Sequence, residues 1–151
     1  MLKEKEKIMK CGLCCDHAGY LLKEEIKRLL TAKGYECVDF GTHSEERADY
    51  PDFAHLLGRA IDAGELSMGI AVCGSGNGIS MALNKHQKVR AALCWSEELA
   101  ALAKAHNNAN VLSLPARFIS FEEAERIVNT FLSTPFEGGR HEARVKKIAL
   151  D

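Results

Sequence analysis

A chain of 151 residues with 46% apolar and 27% charged side chains has the length of one compact domain and the composition of a soluble globular fold, which excludes two independent domains and a disordered segment. Its 20 basic and 21 acidic residues leave a formal charge of -1, so the chain lacks the positive excess of a general nucleic-acid binder and any anion site must be local. The opening Met1 to Lys7 run has no apolar core of a secretory signal, no apolar run reaches the roughly 18 residues needed to span a bilayer, and the six cysteines are expected as free thiols in a cytoplasmic protein.

In chain order, residues 10 to 15 form a short apolar run that stops at Asp16, His17 and Gly19, and reads as a first strand. Between Tyr20 and Lys33, Leu22, Ile26, Leu29 and Leu30 recur at helical spacing with charges between them, and Gly34 ends the pattern. The unit repeats: a strand near Glu36 to Phe40, then a helix from about Pro51 to Ala63 with proline in its first turn, then a strand from Met68 to Cys73. The glycine-rich stretch Gly74-Ser75-Gly76-Asn77-Gly78 opens a short helix ending near Lys85. Val89 to Cys94 reads as the fourth strand, and Ser96 caps the helix after it, with Glu97 and Glu98 in its first turn. Val111 to Leu114 is the fifth strand. Ser120-Phe121-Glu122-Glu123 is a capping box opening a helix to about Leu132, and a loop then leads to a final basic helix. Alternating strands and helices of this kind predict an α/β fold with a parallel sheet covered on both faces. Ligands of such sheets bind at the carboxyl ends of the strands, so the loops after strands one, three, four and five are expected to converge.

The loop after the third strand carries the strongest chemical signal. Its alternating glycines let backbone N–H groups approach a ligand at a helix start, which suits an anion or oxyanion. No Gly-Lys-Ser/Thr follows, and the glycine spacing misses the dinucleotide fingerprint, so ATP and NAD are disfavoured. Cys73 ends its strand at that helix start, where the positive end of the backbone dipoles favours a thiolate able to act as base or nucleophile. Cys11, Cys14 and Cys15 read as core residues. Cys11 and Cys14 have CxxC spacing, but on a strand they point to opposite faces, and no second ligand pair completes a metal site. Asp16 with His17, and His106 with Asn107, are polar pairs expected on the rim that holds Cys73. Arg117, and Arg140 with Arg144 at i, i+4 spacing, can supply a fork for phosphate.

Taken together, Cys15-Asp16-His17-Ala18-Gly19, Asp39-Phe40-Gly41-Thr42, Asp49-Tyr50-Pro51, Cys73 to Ile79, Asn84-Lys85, His106-Asn107 and Gly138-Gly139-Arg140-His141-Glu142-Ala143-Arg144 resemble the type B ribose-5-phosphate isomerases. The resemblance covers nearly the whole chain. It implies a short extension over residues 1–9 and a single sugar-phosphate isomerase domain over 10–151. The implied fold is a Rossmann-like three-layer α/β/α sandwich with a five-stranded parallel sheet. The implied assembly is a homodimer or tetramer with active sites between subunits, and the implied reaction interconverts ribose 5-phosphate and ribulose 5-phosphate. By position, Cys73 becomes the base that moves a proton between C1 and C2, and His106 assists opening of the furanose ring. Asp16, His17 and Asn107 hold hydroxyls or the ring oxygen. The backbone of Gly74, Gly76, Asn77 and Gly78 stabilises the enediolate, and Ser75 relays a proton. Arg117, Arg140 and Arg144 bind phosphate. No metal or redox cofactor, nucleic acid or membrane is implied. Ile79 stands where some members carry a glutamate base. Cys14 and Pro115 stand where glycine is common, and Pro115, lacking an N–H, bears on how Arg117 is presented. Alternatives on the same fold are an allose-6-phosphate or galactose-6-phosphate isomerase, and a non-catalytic phosphosugar-binding subunit.

Overall fold

A computed structural model describes residues 8–150, so most of the expected extension over residues 1–9 lies outside the described residues. The strands are β1 (Lys10–Cys15), β2 (Glu36–Asp39), β3 (Gly69–Cys73), β4 (Ala91–Leu93) and β5 (Val111–Pro115). The helices are α1 (Tyr20–Ala32), α2 (Tyr50–Asp62), α3 (Asn77–Leu83), α4 (Glu97–Asn107), α5 (Phe121–Ser133) and α6 (Glu142–Lys146), the last entered through a 3-10 turn at Gly139–His141. All five strands are parallel, in the order β2-β1-β3-β5-β4. β4 is shorter than the expected Val89 to Cys94 because it is an edge strand, and its only ladder, with β5, covers Ala91 to Leu93.

Alternation along the strands sorts the core into two layers. Cys11, Leu13 and Cys15 of β1, Ile70 and Val72 of β3, and Leu112 and Leu114 of β5 face α1, α4 and α5, where Ile26, Leu30, Ile127, Val128 and Phe131 are buried. Cys14, Ala71, Cys73 and Val111 face the opposite way, onto Leu57 and Ile61 of α2 and Ile79 and Leu83 of α3. Fully burying each large apolar side chain contributes roughly 1.5–3 kcal/mol, so both helical layers are held chiefly by this stripe. Cys11 and Cys14 fall in different layers, as the strand period requires.

The caps behave as their chemistry dictates. Ser96 Oγ accepts the Leu99 N–H, and Ser120 with Glu123 forms both bonds of a capping box. The final basic helix is brief, and Arg140 belongs to the 3-10 turn that precedes it.

Strand order opens the ligand crevice. From β1 the chain turns outward to β2, whereas β3 lies on the other side of β1. The helices after β1 and β3 therefore cover opposite faces of the sheet, and their loops part over the carboxyl ends of the two strands.

Candidate active site

A cleft of about 650 Å³ occupies that crevice. β1 delivers Asp16, His17 and Ala18 to it, β3 delivers Cys73, Gly74, Ser75 and Gly78, and β5 delivers Arg117 and Phe118. The remaining wall is Arg47, Ala48, Asp49 and Tyr50, from the loop after β2. The loop expected from strand four does not line it, since β4 lies at the sheet's far edge; Trp95 meets only the Phe118 ring, with centres 5.1 Å apart and planes tilted by 31°.

Cys73 is 4% exposed, and its sulfur accepts the Gly76 N–H at 3.2 Å. That donor exists because Gly76 adopts φ of +78°, a left-handed turn in which a side chain would also strike Leu93 and Leu114. Gly78 admits the Tyr50 ring, which a Cβ there would displace. Ser75 Oγ accepts the Asn77 N–H at 3.2 Å. Gly76 therefore serves the sulfur, while the Asn77 side chain lines a neighbouring groove with Ser80 and Met81 rather than the cleft.

Asp16 is buried and its Oδ1 accepts the Gly19 N–H at 3.0 Å, which locks the turn into α1. His17 Nδ1 lies 3.1 Å from the carbonyl oxygen and 3.2 Å from the nitrogen of Ala48. Arg117 is presented despite Pro115: the Arg117 N–H reaches Gly74 O at 3.0 Å and the Ala116 N–H reaches Cys73 O at 2.9 Å, bending the chain over the glycine loop. Of the other cysteines, burial pushes Cys11 and Cys15 up to about 12, Cys94 up to about 11, and Cys14 well upward, as suits core thiols.

His106, Asn107, Arg140 and Arg144 do not line this cleft, so His106 and Asn107 stand off the rim expected to hold them with Cys73. The reason is direction. α4 and α5 run back against the strands, so their last residues, and the segment that follows α5, reach the amino-terminal edge of the sheet. There the Glu137 N–H bonds Ala105 O at 3.0 Å, and the His106 and His141 rings stack with centres 4.2 Å apart. Glu137 lies 3.9 Å from His106 and 3.6 Å from His141. Burial, then the charges of His106 and Arg140, hold His141 below its ordinary value. Asn107 opens instead onto a separate cleft with Lys85 and Arg90.

The ligand atoms of His106, Glu137 and His141 lie within 4.8 Å of one another, but rings stacked at 13° cannot both aim an in-plane lone pair at one ion. Arg47 and Tyr50 were not assigned from sequence, although Tyr50 lies in the Asp49-Tyr50-Pro51 motif. Only the approach of the β2 loop to His17 makes them part of the wall.

Comparison with known proteins sharpens this picture. The ribose/galactose isomerase family model matches residues 11–148. The chain is 43% identical over 139 residues to ribose-5-phosphate isomerase B of Escherichia coli K12, covering 92% of this chain and 93% of that protein. It superposes with a TM-score of 0.91 on the crystal structure of a ribose 5-phosphate isomerase from Thermotoga maritima, 50% identical, covering 93% of this chain and 97% of that one. The Mycoplasma genitalium ribose-5-phosphate isomerase B, solved with bound ribulose-5-phosphate, gives a TM-score of 0.89 at 43% identity, covering 93% of each chain.

Proposed function

The chain belongs to the ribose/galactose isomerase family, and we propose that it interconverts ribose 5-phosphate and ribulose 5-phosphate through an enediolate. The observation that carries this reading is the placement of Cys73, its sulfur bordering the cleft beside the amide-rich glycine loop.

Isomerisation next to a carbonyl needs a base and fixed donors for the oxyanion that develops. The Cys73 thiolate takes the proton from C2 of the open-chain aldose and becomes a thiol, leaving an enediolate. Backbone N–H groups from Gly74 to Gly78, other than the Gly76 and Asn77 N–H groups bonded to Cys73 Sγ and Ser75 Oγ, stabilise that charge, and Ser75 moves a proton between O1 and O2. The thiol then returns its proton to C1, which gives the ketose. Asp16 and His17 hold hydroxyls or the ring oxygen, and Arg117 binds phosphate. Binding energy from the unreactive phosphate thereby orients the reacting carbons.

His106, Asn107, Arg140 and Arg144 serve the same reaction from a second copy of the chain, His106 assisting ring opening and the arginines clamping phosphate. Two features support this. These residues sit at the sheet edge opposite Cys73, and exposed apolar side chains border the cleft side: Phe118 is 58% exposed, Trp95 46% and Tyr50 38%. The assembly is thus a homodimer or a pair of dimers, acting in the cytoplasm in the pentose phosphate pathway. Among the described residues no helix is long and apolar enough to cross a membrane. The family name covers ribose and galactose isomerases alike, and the five-carbon reading is preferred to the six-carbon and non-catalytic ones because the relatives above are named for the five-carbon reaction.

The test is direct: mix purified protein with ribose 5-phosphate and record ribulose 5-phosphate. Binding of the sugar phosphate without ketose formation overturns the reading.

A further inference from the structure

Among the described residues, Lys23 and Asp39 form the only ion pair with both side chains buried, 0% and 7% exposed. An apolar pair of similar volume is often at least as stable as a buried ion pair, so stability alone does not explain this one. Burial opposes both charges, but their mutual hydrogen bonds outweigh it: Lys23 is held above its ordinary value and Asp39 below.

The pair's contacts lead to the cleft. Lys23 Nζ donates to Asp39 Oδ2 at 2.8 Å, to Asp39 Oδ1 at 2.9 Å and to the Thr42 carbonyl at 2.7 Å, with Glu24 3.3 Å away. Asp39 Oδ1 also accepts the Gly41 N–H at 2.9 Å, and Oδ2 accepts Lys27 at 3.2 Å. Gly41 and Thr42 are thus gripped by both partners. They bond in turn to the end of β1, through Cys15 N–H to Gly41 O at 2.7 Å and Thr42 N–H to Cys15 O at 2.8 Å. Beyond Thr42 the loop runs on to Ala48, the residue that meets His17 Nδ1. Lys23 itself stands in the first turn of α1, its N–H bonded to Gly19 O at 2.8 Å. His17 is therefore flanked by Cys15, whose backbone is bonded to the Gly41 and Thr42 held by the pair, by Gly19, bonded to the Lys23 N–H, and by Ala48, which the loop running on from Thr42 delivers.

The Ala48 contact is open to either tautomer of the His17 ring. An unprotonated Nδ1 accepts the Ala48 N–H, and a protonated one donates to the Ala48 carbonyl. Only the position of the loop has to be maintained.

We infer that Lys23, through its buried pair with Asp39, is a positioning residue for His17, setting where that ring meets the sugar without touching substrate. The inference rests on the isomerase reading for its kinetic readout alone. Lys23→Met keeps an unbranched side chain one atom shorter, without the charge, and leaves Asp39 its bonds to Lys27 and Gly41. The expected result is a KM for ribose 5-phosphate raised about tenfold or more, with a smaller change in kcat, and displaced ring nitrogen signals of His17 in substrate-free protein.

A double-mutant cycle locates the effect. On a His17→Ala background Lys23→Met should change KM little further, whereas additive effects overturn the inference. A lower unfolding midpoint with unchanged KM and unchanged His17 signals also overturns it, because the pair is then merely structural. Should Lys23→Met fail to fold, Lys23→Met with Asp39→Asn removes both charges and takes its place in the same measurements. Displaced His17 signals in a variant whose wild-type parent forms no ketose would sink the isomerase reading and leave the positioning role standing.

Discussion

The cleft at Cys73 and the cluster at His106 draw on similar side chains, histidine, carboxylate and arginine, yet the first lines a cleft in which the Cys73 sulfur accepts the Gly76 N–H of the glycine loop, whereas the second is a stack of two rings beside Glu137. The difference lies in which elements deliver the residues. Strands β1, β3 and β5 end side by side, so their following loops share one crevice. The C-terminal ends of α4 and α5 and the segment beyond lie where the return helices stop, at the opposite edge of the sheet. A reaction that uses both sets must join two copies of the chain, and each copy then supplies half of two sites.

Mutations separate the halves. The largest effect is expected from Cys73→Ala, which removes the proposed base: turnover should fall by about 10²–10⁴-fold while the fold and phosphate binding persist, as steady-state kinetics and calorimetry with ribose 5-phosphate will show. Undiminished turnover would move the base elsewhere. Mixing that variant with His106→Ala sharpens the comparison. If sites form between copies, heterodimers carry one intact site, and co-refolding two inactive proteins restores about a quarter of wild-type activity. No recovery would mean that one chain builds its own site. Arg140→Ala should mainly raise KM, by roughly 10- to 100-fold for loss of a charged phosphate contact; an unchanged KM removes Arg140 from the phosphate clamp.

Two smaller effects probe the scaffold. His141 is held below its ordinary value, so its neutral form favours the fold. That stability is complete above the ordinary imidazole range and declines as pH falls through it toward the lower folded value. An NMR titration should find the His141 midpoint below about 6.5, and a midpoint above that contradicts the packing of the cluster. Ser120→Ala, remote from the cluster, should cost about 1 kcal/mol in chemical denaturation and leave KM unaltered.

Much of the fold was legible because its signals are local. Helical spacing of Leu22, Ile26, Leu29 and Leu30 placed α1, and Ser120 with Glu123 placed the start of α5. That Cys73, Gly74, Ser75 and Arg117 line one cleft was legible because each stands at or just beyond the end of a strand, and all strand ends of a parallel sheet share one edge. His106 and Asn107 stand away from the rim expected to hold them with Cys73, because a residue at a helix end reads like one at a strand end until the helix has a direction. Arg47 and Tyr50 were missed because exposed loop residues carry no periodic mark. The bond between Lys23 and Asp39 spans 16 positions and had no signal at all.

The order of residues alone determined the alternation of strand and helix, the two-faced core and the amide-lined sulfur at the end of β3. These follow from side-chain period, capping and backbone sterics, which act over a few neighbouring residues. Only the tertiary structure decided which loops share a crevice, that the β2 loop closes it, and that His106 and Arg140 stand at the other edge. Those outcomes depend on strand order and on helices returning against the strands, which are relations between elements that no short stretch of sequence contains.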